Sequence, residues 1–225
     1  MERSGVPLIV ILGNIGSGKT SVTESLSDRF SSIGERLLLL PEPVNEWKEC
    51  GILRSFYEDM EKYAFPFQMF AFASRSKKFK GIEWKNYDVC VSDSHTLADR
   101  HVFAENLHTQ GLICTTDMRF YNLFCDNWEK VVPEMIPDLM IYLDVSVETC
   151  LERIKKRGRP EEKTIPADYL KGLQDNFKEM INKNPSPHKI AKIDGERSIQ
   201  AISADIKETI DLFCRSTKRP WWKFW

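Results

Sequence analysis

An eight-residue run, Gly13-Asn14-Ile15-Gly16-Ser17-Gly18-Lys19-Thr20, follows directly on the apolar stretch Leu8 to Leu12 and precedes a segment with helical apolar spacing at Val22 and Leu26. Glycines let backbone N–H groups close around phosphate oxygens, and a following helix offers its positive end. A lysine at the seventh place brings a point charge to the β- and γ-phosphates, and a hydroxyl at the eighth can ligate Mg²⁺. The run is a complete phosphate-binding loop in strand–loop–helix context. It implies a nucleoside triphosphate ligand and a sheet whose first strand ends at that ligand.

With 225 residues, 42% of them hydrophobic, the chain is long enough to bury one sizeable core and reads as a single domain over 1–225. The 32 Lys and Arg balance the 33 Asp and Glu to a formal net charge of −1. That balance provides no global field to gather nucleic acid or an anionic membrane, so small-molecule partners are expected. Cys50, Cys90, Cys114, Cys125, Cys150 and Cys214 lie far apart with no CxxC pair, and Met1 to Gly5 has no apolar signal core. Both features fit a reducing cytosolic or nuclear compartment. No run approaches the ~18 apolar residues that would suggest a membrane span.

The strand candidates are short and aliphatic: Leu8 to Leu12, Leu37 to Leu40, Tyr87 to Val91, Leu139 to Leu143 and Lys189 to Ile193. Near-continuous apolar runs suit strands buried on both faces, and their alternation with longer amphipathic stretches predicts an α/β fold. We expect a five-stranded parallel sheet flanked by helices, with the ligand at the carboxyl ends of the strands.

Each polar cluster follows one of those strands. After the second comes Pro41-Glu42-Pro43-Val44-Asn45-Glu46-Trp47, in which Pro43 forces Glu42 into extended backbone at a strand end. A rigid carboxylate there suits a general base for a hydroxyl nucleophile. Further on, Phe67, Phe70, Ala71 and Ser74 share one helix face. Gln68 beside Phe67 offers an amide for the edge of a planar heterocycle while an aromatic stacks on it. After the fourth strand, Arg153, Arg157 and Arg159 with Gly158 form a cationic segment suited to phosphoryl transfer, which depends mostly on positioning and neutralising charge.

In order along the chain, the loop, Glu42-Pro43-Val44 with Trp47, Tyr57-Glu58, Phe67-Gln68, Ser74-Arg75, Asp99-Arg100-His101-Val102-Phe103, Arg153 with Arg157-Gly158-Arg159, and Glu161-Glu162 before Ile165-Pro166 resemble one family. It is that of the deoxyribonucleoside kinases related to deoxycytidine kinase, deoxyguanosine kinase and mitochondrial thymidine kinase. The resemblance covers nearly the whole chain. Its specificity lies in the order and spacing of the pieces.

The resemblance implies transfer of the γ-phosphate of ATP, with Mg²⁺, to the 5′-hydroxyl of a deoxynucleoside in nucleotide salvage, by a homodimer to which the helical stretch Val102 to Asn127 contributes. Glu42 corresponds to the catalytic base. Lys19, Arg153, Arg157 and Arg159 would serve the ATP phosphates, the arginines from a lid spanning about 153–165. Thr20 and Asp93 would hold the metal. Gln68 would face the base edge, Trp47, Phe67 and Phe103 would enclose the base, and Tyr57 and Glu162 would hold the 3′-hydroxyl. Arg75 and Asp99 match the charged pair that deoxycytidine and deoxyguanosine kinases place beside the base, which implies preference for bases with an exocyclic amine: deoxycytidine, then the purine deoxynucleosides. Asp194 to Ile199 would form a turn near the adenine.

One departure stands out. Relatives carry Glu-Arg-Ser where this chain has Asp93-Ser94-His95. A shorter carboxylate keeps the ligand type for Mg²⁺, but a serine cannot replace a guanidinium at the transferred phosphate. His95, Arg100 or a lid arginine would have to compensate, or turnover would be slow. That departure keeps open a nucleotide-binding regulatory subunit, and the Asp99-Arg100 step keeps open a nucleoside monophosphate kinase. A GTPase is disfavoured, because Asn182-Lys183-Asn184-Pro185 lacks the aspartate that reads guanine. The aromatic tail over 216–225, rich in tryptophan after Pro220, is expected to pack against an apolar surface.

Overall fold

A computed structural model describes Arg3 and residues 5–32, 34–183 and 189–217. The tail from Lys218 onward lies outside the described residues. Strand β1 (Leu8–Leu12) leads through the glycine loop into α1 (Lys19–Ser32). Strand β2 (Leu37–Leu40) is followed by α2 (Val44–Glu49), α3 (Ile52–Glu58) and α4 (Met60–Lys77). Strand β3 (Val89–Ser92) is followed by α5 (Thr96–Ala98), a π-helical turn Asp99–Ala104, α6 (Glu105–Thr109) and α7 (Thr115–Val131). Strand β4 (Leu139–Asp144) precedes α8 (Val147–Arg157) and α9 (Ala167–Lys183), and β5 (Lys189–Asp194) precedes α10 (Ile199–Ser216).

The strands form one parallel sheet in the order β2-β3-β1-β4-β5. All five residues of β1 are buried, because helices cover both faces of the central strand. The chain leaves β1 toward β2 on one side and leaves β4 toward β5 on the other, so the crevice for a ligand opens between the carboxyl ends of β1 and β4. Local chemistry sets the helix ends there. Ser146 Oγ caps α8 by accepting from Thr149 N at 3.2 Å, and Gly158 ends it in the left-handed region at φ +69°.

The expected α/β architecture is observed, with four adjustments. Strand β3 begins at Val89 and not Tyr87, because Tyr87 N closes a 3₁₀ turn on Trp84 O, and it extends to Ser92. Strand β5 is an edge strand with exposed lysines, so it is not covered on both faces as its aliphatic residues suggest. The stretch Val102 to Asn127 is not continuous helix. Gln110 to Cys114 interrupt it, with Gly111 at φ +75°. Arg153 belongs to α8, whose last residue is Arg157, so the segment outside the helix starts at Gly158 and runs to α9.

Ile9 has no exposed surface and lies in register between Val91 and Leu139. Ile9→Ala should therefore lower the unfolding free energy by about 2–5 kcal/mol. Urea denaturation checks this, and a loss below about 1 kcal/mol would contradict the central placement of β1.

Candidate active site

The phosphate loop closes tightly. Gly16 sits at φ +80°, and a Cβ on it would lie 2.5 Å from the carbonyl oxygen of Cys150 on α8, so only glycine fits. Asn14 is structural in this arrangement: its Nδ2 donates to Leu170 O of α9 at 2.8 Å and its Oδ1 accepts from Ile15 N at 2.8 Å. Lys19 Nζ donates to Gly13 O at 2.8 Å and Asn14 O at 2.9 Å. Burial lowers its pKa, while Glu42 and Asp93 pull it upward.

Thr20, at the first turn of α1, donates its hydroxyl to Asp93 Oδ2 at 3.1 Å. The other carboxylate oxygen, Asp93 Oδ1, is buried without a hydrogen-bond partner among the described residues. Burial and the nearby Glu42 carboxylate raise the Asp93 pKa. A carboxylate with an unused oxygen beside a hydroxyl and a phosphate loop fits Mg²⁺, which prefers oxygen ligands and fills its remaining positions with water and phosphate oxygens. Among the described residues no group of three or more His, Cys, Asp or Glu could hold a metal by itself.

Glu42 stands where β2 ends, and Arg75 binds it. The Arg75 guanidinium, only 6% exposed, reaches Glu42 Oε1 with Nη2 and Asp99 Oδ1 with Nη1, bridging β2 to the π turn. Burial works to raise the Glu42 pKa, but Arg75 and then Lys19 outweigh it and hold the carboxyl below its usual range. Burial pushes Asp99 up to about 6 against the pull of Arg75.

The walls beyond this bridge are aromatic. Trp47 lies under the Arg75 guanidinium at 4.8 Å, meets Phe67 edge-on at 5.4 Å, and donates Nε1–H to Ser74 Oγ at 2.8 Å. Phe103, brought to the same wall by the wide π turn, meets Phe177 edge-on. Three buried polar atoms here have no partner among the described residues: the acceptors Gln68 Oε1 and Asp99 Oδ2, and the donor Arg75 Nε. Burial raises the Tyr57 phenol well above its ordinary value, so it stays protonated and can donate.

The arginines close the other side. Arg157 and Arg159 both bind the buried Glu162, Arg159 at 3.0 Å to Oε1 and Arg157 Nε at 3.1 Å to Oε2. Arg153 donates to Ser17 O at 2.9 Å and Gly195 O at 3.0 Å, stapling the phosphate loop to the turn after β5. Lys48 of α2 approaches Glu161 at 3.6 Å, linking the segment to the opposite wall.

All the residues expected at the site except Asn14 and Asp93 line one cavity of about 670 Å³, and those two lie directly behind its loop. Arg197, Ser198 and Ile199 line it at the end near β5. His95 and Arg100 do not enter it. His95 Nε2 lies 2.6 Å from Met135 O and its Nδ1 accepts from Leu97 N, while Arg100 binds Asn122 and Asp126 at 2.8 and 2.7 Å. Sequence reading missed Tyr169 on the cavity wall, whose setting in α9 reads only as helix core.

A family model described as deoxynucleoside kinase matches residues 9–215. The chain belongs to the deoxynucleoside kinase family. A deoxyadenosine kinase of Dictyostelium discoideum is 36% identical over 174 residues, covering 77% of this chain and 66% of the relative. A deoxyguanosine kinase of the same organism is 32% identical over 177 residues, covering 77% of this chain and 58% of the relative. Among solved structures, deoxyadenosine kinase from M. mycoides with dCMP and dCDP bound matches with a TM-score of 0.76 at 28% identity, covering 91% of this chain and 99% of that one. A structure of the same M. mycoides enzyme holds dATP.

For this deoxynucleoside kinase, the close approach at Gly16 generates a direct test. Gly16→Ala should displace the loop from α8 and weaken ATP binding by at least ~10-fold, because the adopted φ and the Cys150 carbonyl both exclude a Cβ. Isothermal titration with a non-hydrolysable ATP analogue reads the effect, and unchanged affinity would refute it.

Proposed function

We propose that this kinase transfers the γ-phosphoryl group of ATP to the 5′-hydroxyl of a deoxynucleoside whose base carries an exocyclic amine, deoxycytidine first and deoxyadenosine or deoxyguanosine next, in nucleotide salvage. The observation that carries the reading is the set of three buried, unpartnered polar atoms against aromatic walls: Gln68 Oε1, Asp99 Oδ2 and Arg75 Nε. Two acceptors match an amine's hydrogens, and one donor matches a ring nitrogen or carbonyl of the same edge. Thymine presents a carbonyl at that place, which would face a carboxylate and leave acceptors unsatisfied, the kind of mismatch binding sites reject strongly.

In this reading Trp47, Phe67 and Phe103 enclose the base, and Tyr57 with Glu162 holds the 3′-hydroxyl. Glu42 accepts the hydrogen bond of the 5′-hydroxyl and takes its proton as that oxygen bonds to the γ-phosphorus and the bridging oxygen departs with ADP. Arg75 keeps Glu42 ionised and makes it a weak base. Weak basicity suffices, because a loose phosphoryl transition state needs little proton abstraction before the oxygen is in line. Lys19 and Arg153, Arg157 and Arg159 neutralise the phosphate oxygens. Thr20 and Asp93 would hold Mg²⁺, whose positive charge would help neutralise the phosphate oxygens.

Exposed apolar side chains on α7, Phe120 and Leu123, support a homodimer as the working form. Among the described residues no helix is long and apolar enough to cross a membrane, and the six free cysteines support a reducing cytosolic or nuclear setting.

A panel of deoxynucleosides with Mg-ATP tests the reading. Deoxycytidine should be turned over faster than thymidine, and Glu42→Gln should lose about 10²–10⁴-fold in kcat while retaining ATP binding. Faster thymidine turnover would remove the base assignment, and full activity of Glu42→Gln would remove the catalytic one.

The pH profile offers a second test. Protonation turns Asp99 from an acceptor into a donor, and burial places that event at about 6. The kcat/KM for deoxycytidine should therefore fall as pH drops through about 6 and hold level above it. In Asp99→Asn that limb should vanish together with most of the affinity for the base. An unchanged limb would show that another group titrates.

A further inference from the structure

Behind the cleft lies a second, much smaller cavity of about 10 Å³, between Glu42, Arg75, Lys78 and Ser94, with Leu40 and His95 closing it. It has room for about one water molecule. Ser94 is only 8% exposed and forms part of the wall of both cavities. Lys78 immediately follows α4, and its Nζ donates to the carbonyl oxygen of Pro41. Pro41 immediately precedes Glu42, so the ammonium holds the peptide that carries the carboxylate.

The local charges make the position significant. Glu42, Asp93 and Asp99 bring three carboxylates into a largely buried region, where uncompensated charge is costly. Lys19 is turned onto the phosphate loop, and Arg75 is divided between Glu42 and Asp99. Burial works against the Lys78 charge, but Asp93, Glu42 and Glu46 attract it, so it brings a third cation to Asp93 and Glu42. His95 and Arg100 are engaged elsewhere, and Arg157 and Arg159 are bound to Glu162.

We propose that Lys78 is a positioning residue of the phosphoryl-transfer site: from behind Glu42 it fixes the Pro41–Glu42 peptide and supplies the positive charge that Ser94, which lines the same small cavity, does not. The inference rests on the function proposed above. It predicts that a cation reaching the Glu42 region through the cleft from position 94 takes over the task.

The test is a double-mutant cycle in steady-state kinetics with Mg-ATP and deoxycytidine. Lys78→Met should lower kcat about 10-fold or more with both KM values within about two-fold of wild type, since misplacing a reacting group costs rate and not ground-state binding. Lys78→Arg should retain most of the rate. Ser94→Arg should raise kcat by a larger factor in the Lys78→Met background than with Lys78 present, which is the signature of two residues doing one job. Thermal melting of each variant accompanies the kinetics. A kcat for Lys78→Met within two-fold of wild type, an equal effect of Ser94→Arg in both backgrounds, or a rate loss that tracks the melting temperature and is not restored by Ser94→Arg would each overturn the proposal. Absence of deoxynucleoside monophosphate from the unaltered chain would overturn the functional reading as well, whereas an active unaltered chain with an equally active Lys78→Met overturns this inference alone.

Discussion

One guanidinium organises this site. Arg75 lies buried near the end of α4 and binds two carboxylates from different parts of the chain, Glu42 after β2 and Asp99 at the start of the π turn after β3. A charge so far from water is tolerated when opposite charges are paired with it, and removing one partner of such a group costs about 3–5 kcal/mol. The bridge therefore holds the two strand ends and α4 in one relative position. It also sets the electrostatics, with Glu42 kept ionised and Asp99 balanced between burial and its cation. Trp47 covers the guanidinium face, so the polar bridge and the aromatic wall are built as one unit.

The same economy of cations appears at the phosphate end. Arg153 ties the loop to the turn after β5, and Arg157 and Arg159 share Glu162. Each positive group is held by a carbonyl or a carboxylate in this arrangement. Anionic phosphates can compete for those donors, since charge-assisted hydrogen bonds to phosphate are among the strongest a side chain makes.

Much of this was legible in the chain before its fold was known. The loop could be read because its glycines, lysine and threonine have no other economical explanation in strand–loop–helix context, and Gly16 shows why: a Cβ there has no room. Glu42, Gln68, Arg75 and Asp99 were legible only jointly, through their order. Other features were hidden. Lys78 looks like any lysine at a helix end, the bond of the Asn14 amide to Leu170 has no local signal, and Arg153 is seen to belong to a helix only by knowing where α8 stops. The break at Gly111 and the exposed edge of β5 escaped because a helical or aliphatic pattern does not say which neighbours an element will have.

By itself, then, the order of residues determined the class of fold, the phosphate loop and the types of side chain that would meet beyond the strand ends. These follow from local chemistry: glycine's backbone freedom, the period of apolar residues, proline's restriction of its neighbour. Only the tertiary structure decided which charges pair, which atoms are left without partners, and that Ser94 and Lys78 line one small cavity. Such outcomes depend on distances between residues far apart in the chain and on how much water remains between them, and no local pattern encodes either.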